Sequence, residues 1–373
     1  LKIAANTPRS KAVIHVFTLS ARHTLSLHPF ALVCMMGRDP CGRKLKPFSN
    51  LSALFKEANS MSIMVTGGAG FIGNRIIRKL LDLNEEVVCF DMAPPRGNLE
   101  PYLDRIKFYR GDITQLPHLL EAMNLNQVHK IIHMAALLPP DTEDRPNYGM
   151  HINIQGTNNV FEAARWSGVE RVVYASSIAV YGVQDTFGDR PVNEDDLSAP
   201  ANVYGFTKAA NDFAAKKYID LYGMDLRGIR ICTVFGHGRV TGMTGMIGGL
   251  LASLPAIGQP VSMPFHQDEP SPMIHAEDAA EIFVRAALAT QLNHRIYISG
   301  GHLATIKDMA DIVRRYIPDA QITTGDQAVP HIYKVDNSRM LADIGYELAP
   351  LEVRVLEHIN DARLEAGLPV ITD

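Results

Sequence analysis

The chain is poor in several features that would mark a common protein class. Its four cysteines in 373 residues, Cys34, Cys41, Cys89 and Cys232, are scattered. They form no disulfide framework and no metal-ligand spacing, so no metal is expected. Cys89 and Cys232 fall in predicted strands and read as buried thiols; a reducing, cytoplasmic compartment fits this usage. There is no excess of positive charge. Formal net charge is -4 and the pI is about 6.4, so no basic field points to nucleic acid. No apolar run approaches membrane-spanning length, and no sequence repeat of about 20–50 residues is present. Ser177 lies in SSIAVYG rather than the GxSxG elbow of a serine hydrolase, and neither His133 nor His275 pairs clearly with it. What is there is a 46% hydrophobic composition, enough for a substantial globular core in one or two domains.

Residues 1–60 differ from the rest. Lys2, Arg9, Lys11, Arg22, Arg38, Arg43, Lys44, Lys46 and Lys56 stand against only Asp39 and Glu57, with no sustained period of two or 3.6. An extension upstream of a start at Met61, a transit peptide and a packing or binding tail are the competing readings. The first is preferred, and the segment is expected to be poorly ordered and irrelevant to chemistry.

Residues 61–84, MSIMVTGGAGFIGNRIIRKLLDLN, organise the remainder. The apolar run Ile63–Val65 leads through Thr66 into Gly67, Gly70 and Gly73, and then into a helical pattern with Phe71, Ile72, Ile76, Ile77, Leu80 and Leu81 apolar. This is strand, tight turn, helix. Glycine is needed where φ is positive or where a Cβ would block a ligand, and the helix start offers free N–H groups to an anion. The spacing is GxxGxxG rather than GxGxxG. Glu85–Phe90 reads as a second strand ending in Asp91. An acid about 20 residues beyond the glycines can bind a ribose 2′-hydroxyl and repel a 2′-phosphate, which favours NAD over NADP.

Further strands are predicted at Asp104–Tyr109, Val128–Met134, Arg171–Ala175, Asp225–Val234 and Arg295–Ser299. They alternate with helices at about Met150–Trp166, from Val203, at Ala276–Leu288 and at Ile306–Tyr316. Near-continuous apolar strands between helices predict a parallel sheet covered on both faces. Asp112 can accept from an adenine amine or cap the helix starting near Leu116; both readings stay open. Ala135 and Ala136 are small enough to let a dinucleotide or a packed helix approach. Leu137–Arg145 (LLPPDTEDR) lines the pocket or connects across the surface.

Ser176 and Ser177 end the fifth strand. Tyr204 and Lys208, four apart, share a helix face. An ammonium near a phenol favours phenolate, which lets a group ordinarily near pKa 10 exchange a proton near neutrality. Hydride transfer at an alcohol carbon needs that proton step, with Ser177 able to hold the same oxygen.

From about Ser62 to the C-terminus the chain resembles the extended short-chain dehydrogenase/reductase family, in its NAD-dependent epimerase/dehydratase branch. TGGAGFIG at 66–73 resembles the family's nucleotide turn, which implies that Gly67, Gly70, Phe71, Ile72 and Gly73 bind the cofactor. The resemblance makes Asp91 the ribose acid and GDI at 111–113 the adenine side, with Asp112 and Ile113. It places Ala135, Ala136 and Leu137 (HMAAL) beside the cofactor and Asn153 in support of the active site. It makes Ser177, Tyr204 and Lys208 catalytic, with Tyr204 and Lys208 also on the cofactor, Lys208 through the nicotinamide ribose. Two positions depart from the nucleotide-sugar enzymes of the family: Thr233 stands for the usual asparagine and Ser271 for the usual arginine beside the substrate diphosphate. Losing such contacts costs roughly 2–5 kcal/mol, so a smaller or less charged alcohol, ketone or sugar acid is expected, unless Arg230 or Arg239 compensates. Thr233, Met243 and Met246, the methionines within a glycine-rich stretch, are the substrate-pocket candidates with Leu137 and Ser177.

The expectation is therefore an α/β protein: a Rossmann-type doubly wound parallel sheet, mainly residues 61–235, with a smaller C-terminal mixed substrate-binding lobe, mainly 236–373, whose segments return to the sheet. Its expected activity is NAD-dependent interconversion of a hydroxyl and a keto group through Ser-Tyr-Lys chemistry. A (nucleotide-)sugar epimerase and a non-catalytic NAD-sensing protein are the alternatives. By resemblance it is a homodimer through its helices near Met150–Trp166 and Tyr204–Tyr222.

Overall fold

A computed structural model describes residues 61–239, 242 and 244–372 in full, and the backbone of Met243. The expectations about residues 1–60 and about the Met243 side chain lie outside the described residues.

Seven parallel strands form the main sheet: β1 (Ser62–Thr66), β2 (Glu86–Asp91), β3 (Ile106–Arg110), β4 (Val128–His133), β5 (Arg171–Ser177), β6 (Leu226–Ile231) and, after three strands of the smaller lobe, β10 (Ile296–Ile298). Their order is β3-β2-β1-β4-β5-β6-β10. The order reverses between β1 and β4, which opens a crevice at the carboxyl ends of the strands. Central strands bury both faces, as their apolar runs require: all of β1 is buried.

One face is covered by α1 (Gly73–Asp82), whose Ile76, Ile77, Leu80 and Leu81 recur at helical spacing and are buried. The other carries α2 (Leu116–Leu125), α3 (Gly156–Ser167) and α4 (Val203–Tyr222), with Leu119, Phe161 and Ala215 in its core. The chain then returns from the smaller lobe through α5 (Ala276–Leu288), which packs beside α1 over the first face. Glycines in the left-handed region, Gly168 at φ 68° and Gly223 at φ 65°, end α3 and α4.

The smaller lobe holds a three-stranded sheet, β7 (Thr233–Phe235), β9 (Pro270–His275) and β11 (His302–Thr305), and a parallel pair, β8 (Val261–Phe265) with β12 (Ile322–Gln327). Helices α6 (Ile306–Tyr316), α7 (Ser338–Ile344) and α8 (Leu351–Glu365) complete the chain. A capping box between Thr305 and Asp308 starts α6.

Two differences from the sequence reading matter for the site. The expected strand Asp225–Val234 is two strands. It breaks at Cys232, whose N–H donates to Ser299 Oγ at 3.0 Å instead of to a neighbouring strand. There the backbone leaves the main sheet for the smaller one. The helix expected over Met150–Trp166 contains a π-helical turn, His151–Gln155, ahead of α3. Such wide turns often re-aim side chains at functional positions, and this one carries Asn153.

Candidate active site

A cleft of about 550 Å³ runs along the carboxyl ends of the strands, across the switch point. Its floor is the turn after β1. Gly67 has φ 67°, and a Cβ there would lie 2.8 Å from Ala135 N. A Cβ on Gly73 would lie 2.1 Å from Gly67 O, so the turn closes only with glycine. Phe71, Ile72, Gly70, Ala135, Ala136, Asp112 and Ile113 line the same cleft. Asp91, at the end of β2, accepts the Ala69 N–H at 3.1 Å through Oδ2 and the Ala93 N–H at 3.1 Å through Oδ1. The carboxylate is thereby fixed over the glycine turn with lone pairs to spare. Asp112 is no N-cap of α2, whose N-cap is Gln115, without a side-chain hydrogen bond. Its Oδ1 accepts the Thr114 N–H at 2.8 Å and steadies the loop.

Strand alternation separates the two serines. Ser177 faces the cleft, whereas Ser176 Oγ donates to Asp212 at 3.0 Å behind the sheet edge. Tyr204 and Lys208 come from the first turns of α4, which is started by Asn202 accepting the Gly205 N–H at 2.7 Å. The loop 137–145, open to two readings from sequence, does both jobs. Leu137, Leu138 and Pro139 line the cleft. Glu143 turns onto α4 and accepts the N–H groups of Val203 and Tyr204, each at 3.0 Å, a carboxylate on the positive helix end.

Lys208 is buried. Its Nζ donates to Ala175 O at 2.8 Å and lies 5.6 Å from the Tyr204 ring centroid. Burial lowers its pKa to about 8, against the opposing pull of Asp212. The Tyr204 phenol is pushed above its ordinary value by burial, offset in part by Ser177 and by the Arg239 guanidinium. The Lys208 ammonium, close to the Tyr204 ring, is turned to a backbone carbonyl, and the Arg239 guanidinium adds further positive charge that favours the phenolate.

Asn153 does not line the cleft. It stands behind the wall, accepting the Leu137 N–H at 2.7 Å and donating to Leu137 O at 3.0 Å and Thr207 Oγ1 at 3.2 Å. Behind it Asn211 donates to Asn153 O and to Thr157 Oγ1, and His133 bridges Thr157 Oγ1 and Thr66 Oγ1. Burial and the nearby Lys208 charge lower the pKa of His133 to about 3, which keeps it neutral. This buried ladder ties the cofactor turn to the helix that carries Tyr204. Its members are ordinary polar residues spread over the sequence, so no local pattern announced it.

At the other end, Thr233 and Ser271, the two departures from the nucleotide-sugar pattern, meet. Ser271 Oγ lies 2.8 Å from Thr233 Oγ1 and 3.2 Å from His331 Nε2, and His331 Nδ1 donates to Val329 O at 2.7 Å. All three side chains line the cleft, with Val329, Pro330 and Ile332. The segment 329–332 carries no motif and was missed in the sequence. Met246 does not line the cleft: it packs against the core of the smaller lobe, and its neighbours Thr244 and Ile247 form the wall instead. Of the two arginines considered, Arg230 is committed to Asp212 (3.0 Å) and Tyr181, while Arg239 lines the cleft. Among the described residues no group of three or more acidic, histidine or cysteine side chains could hold a metal ion, and no helix is long and apolar enough to cross a membrane.

The chain is 34% identical over 186 residues to the low-salt glycan biosynthesis protein Agl12 of Haloferax volcanii, a match covering 47% of this chain and 57% of that protein. It is 31% identical over 180 residues to the UDP-glucose 4-epimerase of Lacticaseibacillus casei, covering 47% and 52%. The chain thus spans about half the length of the curated relatives it matches. In fold it resembles the Thermus thermophilus UDP-glucose 4-epimerase crystallised with NAD, with a TM-score of 0.72 at 23% identity over 81% of this chain and 99% of that one. The L-threonine dehydrogenase of Clostridium difficile is similar to the same degree, with a TM-score of 0.74 at 22% identity over 83% and 99%. Residues 63–299 match the NAD dependent epimerase/dehydratase family, and the chain belongs to that family.

Proposed function

We propose that the protein is an NAD-dependent oxidoreductase that interconverts a hydroxyl and a keto group on a small polar substrate. The observation that carries this reading is the convergence of Ser177, Tyr204 and Lys208 on one end of a cleft whose other end is a glycine turn under Asp91. The cleft fits a dinucleotide. Gly67 and Gly73 leave no room for side chains that would fill the turn, and Asp91 is aimed to accept from ribose hydroxyls. Gly67, Gly70, Phe71, Ile72 and Gly73 would hold the pyrophosphate segment, Asp112 and Ile113 the adenine end, and Ala135, Ala136 and Lys208 the nicotinamide half. NAD supplies the hydride acceptor when bound.

The chain's own residues move the proton and hold the substrate. Ser177 orients the substrate oxygen. Tyr204 accepts the hydroxyl proton in oxidation and returns it in reduction. Arg239 draws the phenol toward ionisation. Lys208, with a pKa near 8, adds charge beside the same ring. Asn153 positions Leu137 at the wall rather than touching the cofactor. Thr233, Ser271 and His331 offer the substrate neutral hydrogen-bonding groups.

An epimerase is the second reading, favoured by the relatives that are UDP-glucose 4-epimerases. Against it stands the Thr233–Ser271 contact, which fills with two small hydroxyls the place where a nucleotide-sugar enzyme needs groups for a diphosphate. Incubation with NAD and a panel of secondary alcohols, hydroxy acids and nucleotide sugars separates them. Stoichiometric NADH is the expected result; isomerised sugar without net NADH would establish the epimerase. Tyr204→Phe is expected to lose at least about 10²-fold in kcat while still binding NADH, and full turnover by that variant would overturn both readings.

A homodimer is part of the proposal. Helix α4 exposes Phe206, Phe213 and Leu221 toward one side, and Tyr222 and Trp166 of α3 are also exposed. A second copy would cover this apolar stripe. Sedimentation should give twice the monomer mass, and Phe213→Glu should return it to one.

A further inference from the structure

The cleft contains a half-buried positive charge that makes no ion pair among the described residues. Arg239 Nη2 donates to Thr244 Oγ1 at 2.6 Å, and the guanidinium carbon lies 6.0 Å from the Phe71 ring centroid. Its Nε is buried and has no hydrogen-bond partner. The buried Arg75 and Arg230 and the half-buried Arg354 face carboxylates, those of Glu277, Asp212 and Asp278. Arg239 faces none among the described residues. The backbone at Arg239 is also held in place, since a Cβ on Gly249 would lie 1.7 Å from Arg239 O.

A guanidinium partly withdrawn from water, with its Nε unpartnered, has donor capacity left for an anion. It offers a planar, forked donor set that matches a carboxylate. Lys208, the other cation lining the cleft, is occupied by Ala175 O. Thr233, Ser271 and His331 line the same cleft and supply neutral donors and acceptors. Neither Asp91 nor Asp112, the acids that line the cleft, pairs with Arg239; Asp91 is held by the Ala69 and Ala93 N–H groups and Asp112 by that of Thr114.

We infer that Arg239 is the receptor for the carboxylate of a small hydroxy acid, held so that its hydroxyl reaches Tyr204. This rests on the oxidoreductase reading and narrows its substrate to one charge class. It also assigns the fork to the substrate rather than to the cofactor pyrophosphate, the other anion that could enter the cleft.

The test separates binding from turnover. Protein saturated with NADH is titrated by calorimetry with glycerate and gluconate and with the matching neutral amides, glyceramide and gluconamide. At least one acid is expected to bind at least about 10-fold more tightly than its amide. Arg239→Ala should abolish that preference, and Arg239→Lys should restore part of it, while the NADH dissociation constant stays within about 3-fold in both. Tyr204→Phe should keep the acid preference and form no NADH from NAD. Equal binding of acids and amides, or no binding of either, would overturn the inference. So would an Arg239→Ala variant that keeps the acid preference and loses NADH affinity, which would give the fork to the pyrophosphate. Acid binding that depends on Arg239 without any NADH formation by the wild type would leave the anion site standing and sink the oxidoreductase reading alone.

Discussion

Asn153 and Leu137 exchange two hydrogen bonds, side-chain amide to backbone amide, at 2.7 and 3.0 Å. The pairing fixes one residue of the cleft wall from behind. It is built on the π-helical turn His151–Gln155.

Replacing this amide should separate positioning from chemistry. Asn153→Ala leaves the Leu137 N–H and C=O and the Thr207 hydroxyl short of a partner, which is expected to cost about 2–3 kcal/mol in urea unfolding. It should also lower kcat by roughly 10–100-fold through displacement of the wall. Asn153→Asp keeps the acceptor and loses both donations, and should fail in the same direction. Unchanged kcat in both variants would remove Asn153 from the site.

Lys208 should cost stability in order to serve function. Its folded pKa is lowered to about 8 by burial, whereas an unfolded lysine titrates near 10.4. Between these values the unfolded chain binds more protons, so stability rises with pH through that window. The penalty is fully present below about pH 8 and is lost above the unfolded value. Asp212 opposes it from α4, Tyr204 faces Lys208 from the same helix, and neutral His133 stands on β4. Lys208→Met should therefore raise the unfolding free energy of the cofactor-free protein at pH 7 by on the order of 2–3 kcal/mol, with the advantage shrinking as pH approaches 10.5. It should also be inactive. A destabilised Lys208→Met protein at pH 7 would contradict the assignment.

Asp91 should decide which dinucleotide is used. Asp91→Asn keeps one carbonyl oxygen for the Ala69 or Ala93 N–H but removes the charge that repels a 2′-phosphate. The KM for NAD should rise roughly 10–100-fold, the value of a charge-assisted hydrogen bond, and measurable activity with NADP should appear. Retained discrimination between the two would assign cofactor choice elsewhere.

The sequence by itself determined the parts that chemistry confines to short stretches. The glycine turn, the acid ending β2, the serine at the tip of β5 and the Tyr204–Lys208 pair each lie within one strand–turn or one helical turn, where spacing fixes geometry. The parallel sheet was legible for the same reason, since strands buried on both faces must be apolar throughout. Tertiary structure alone decided the rest. It turned Lys208 toward Ala175 O and brought Arg239, 35 positions from Tyr204, to the same cleft. It sent Met246 into the lobe core and brought Thr233, Ser271 and His331 together from three separate segments. Such contacts span long loops, and their energies depend on which neighbours share a buried space, so no periodicity along the chain records them.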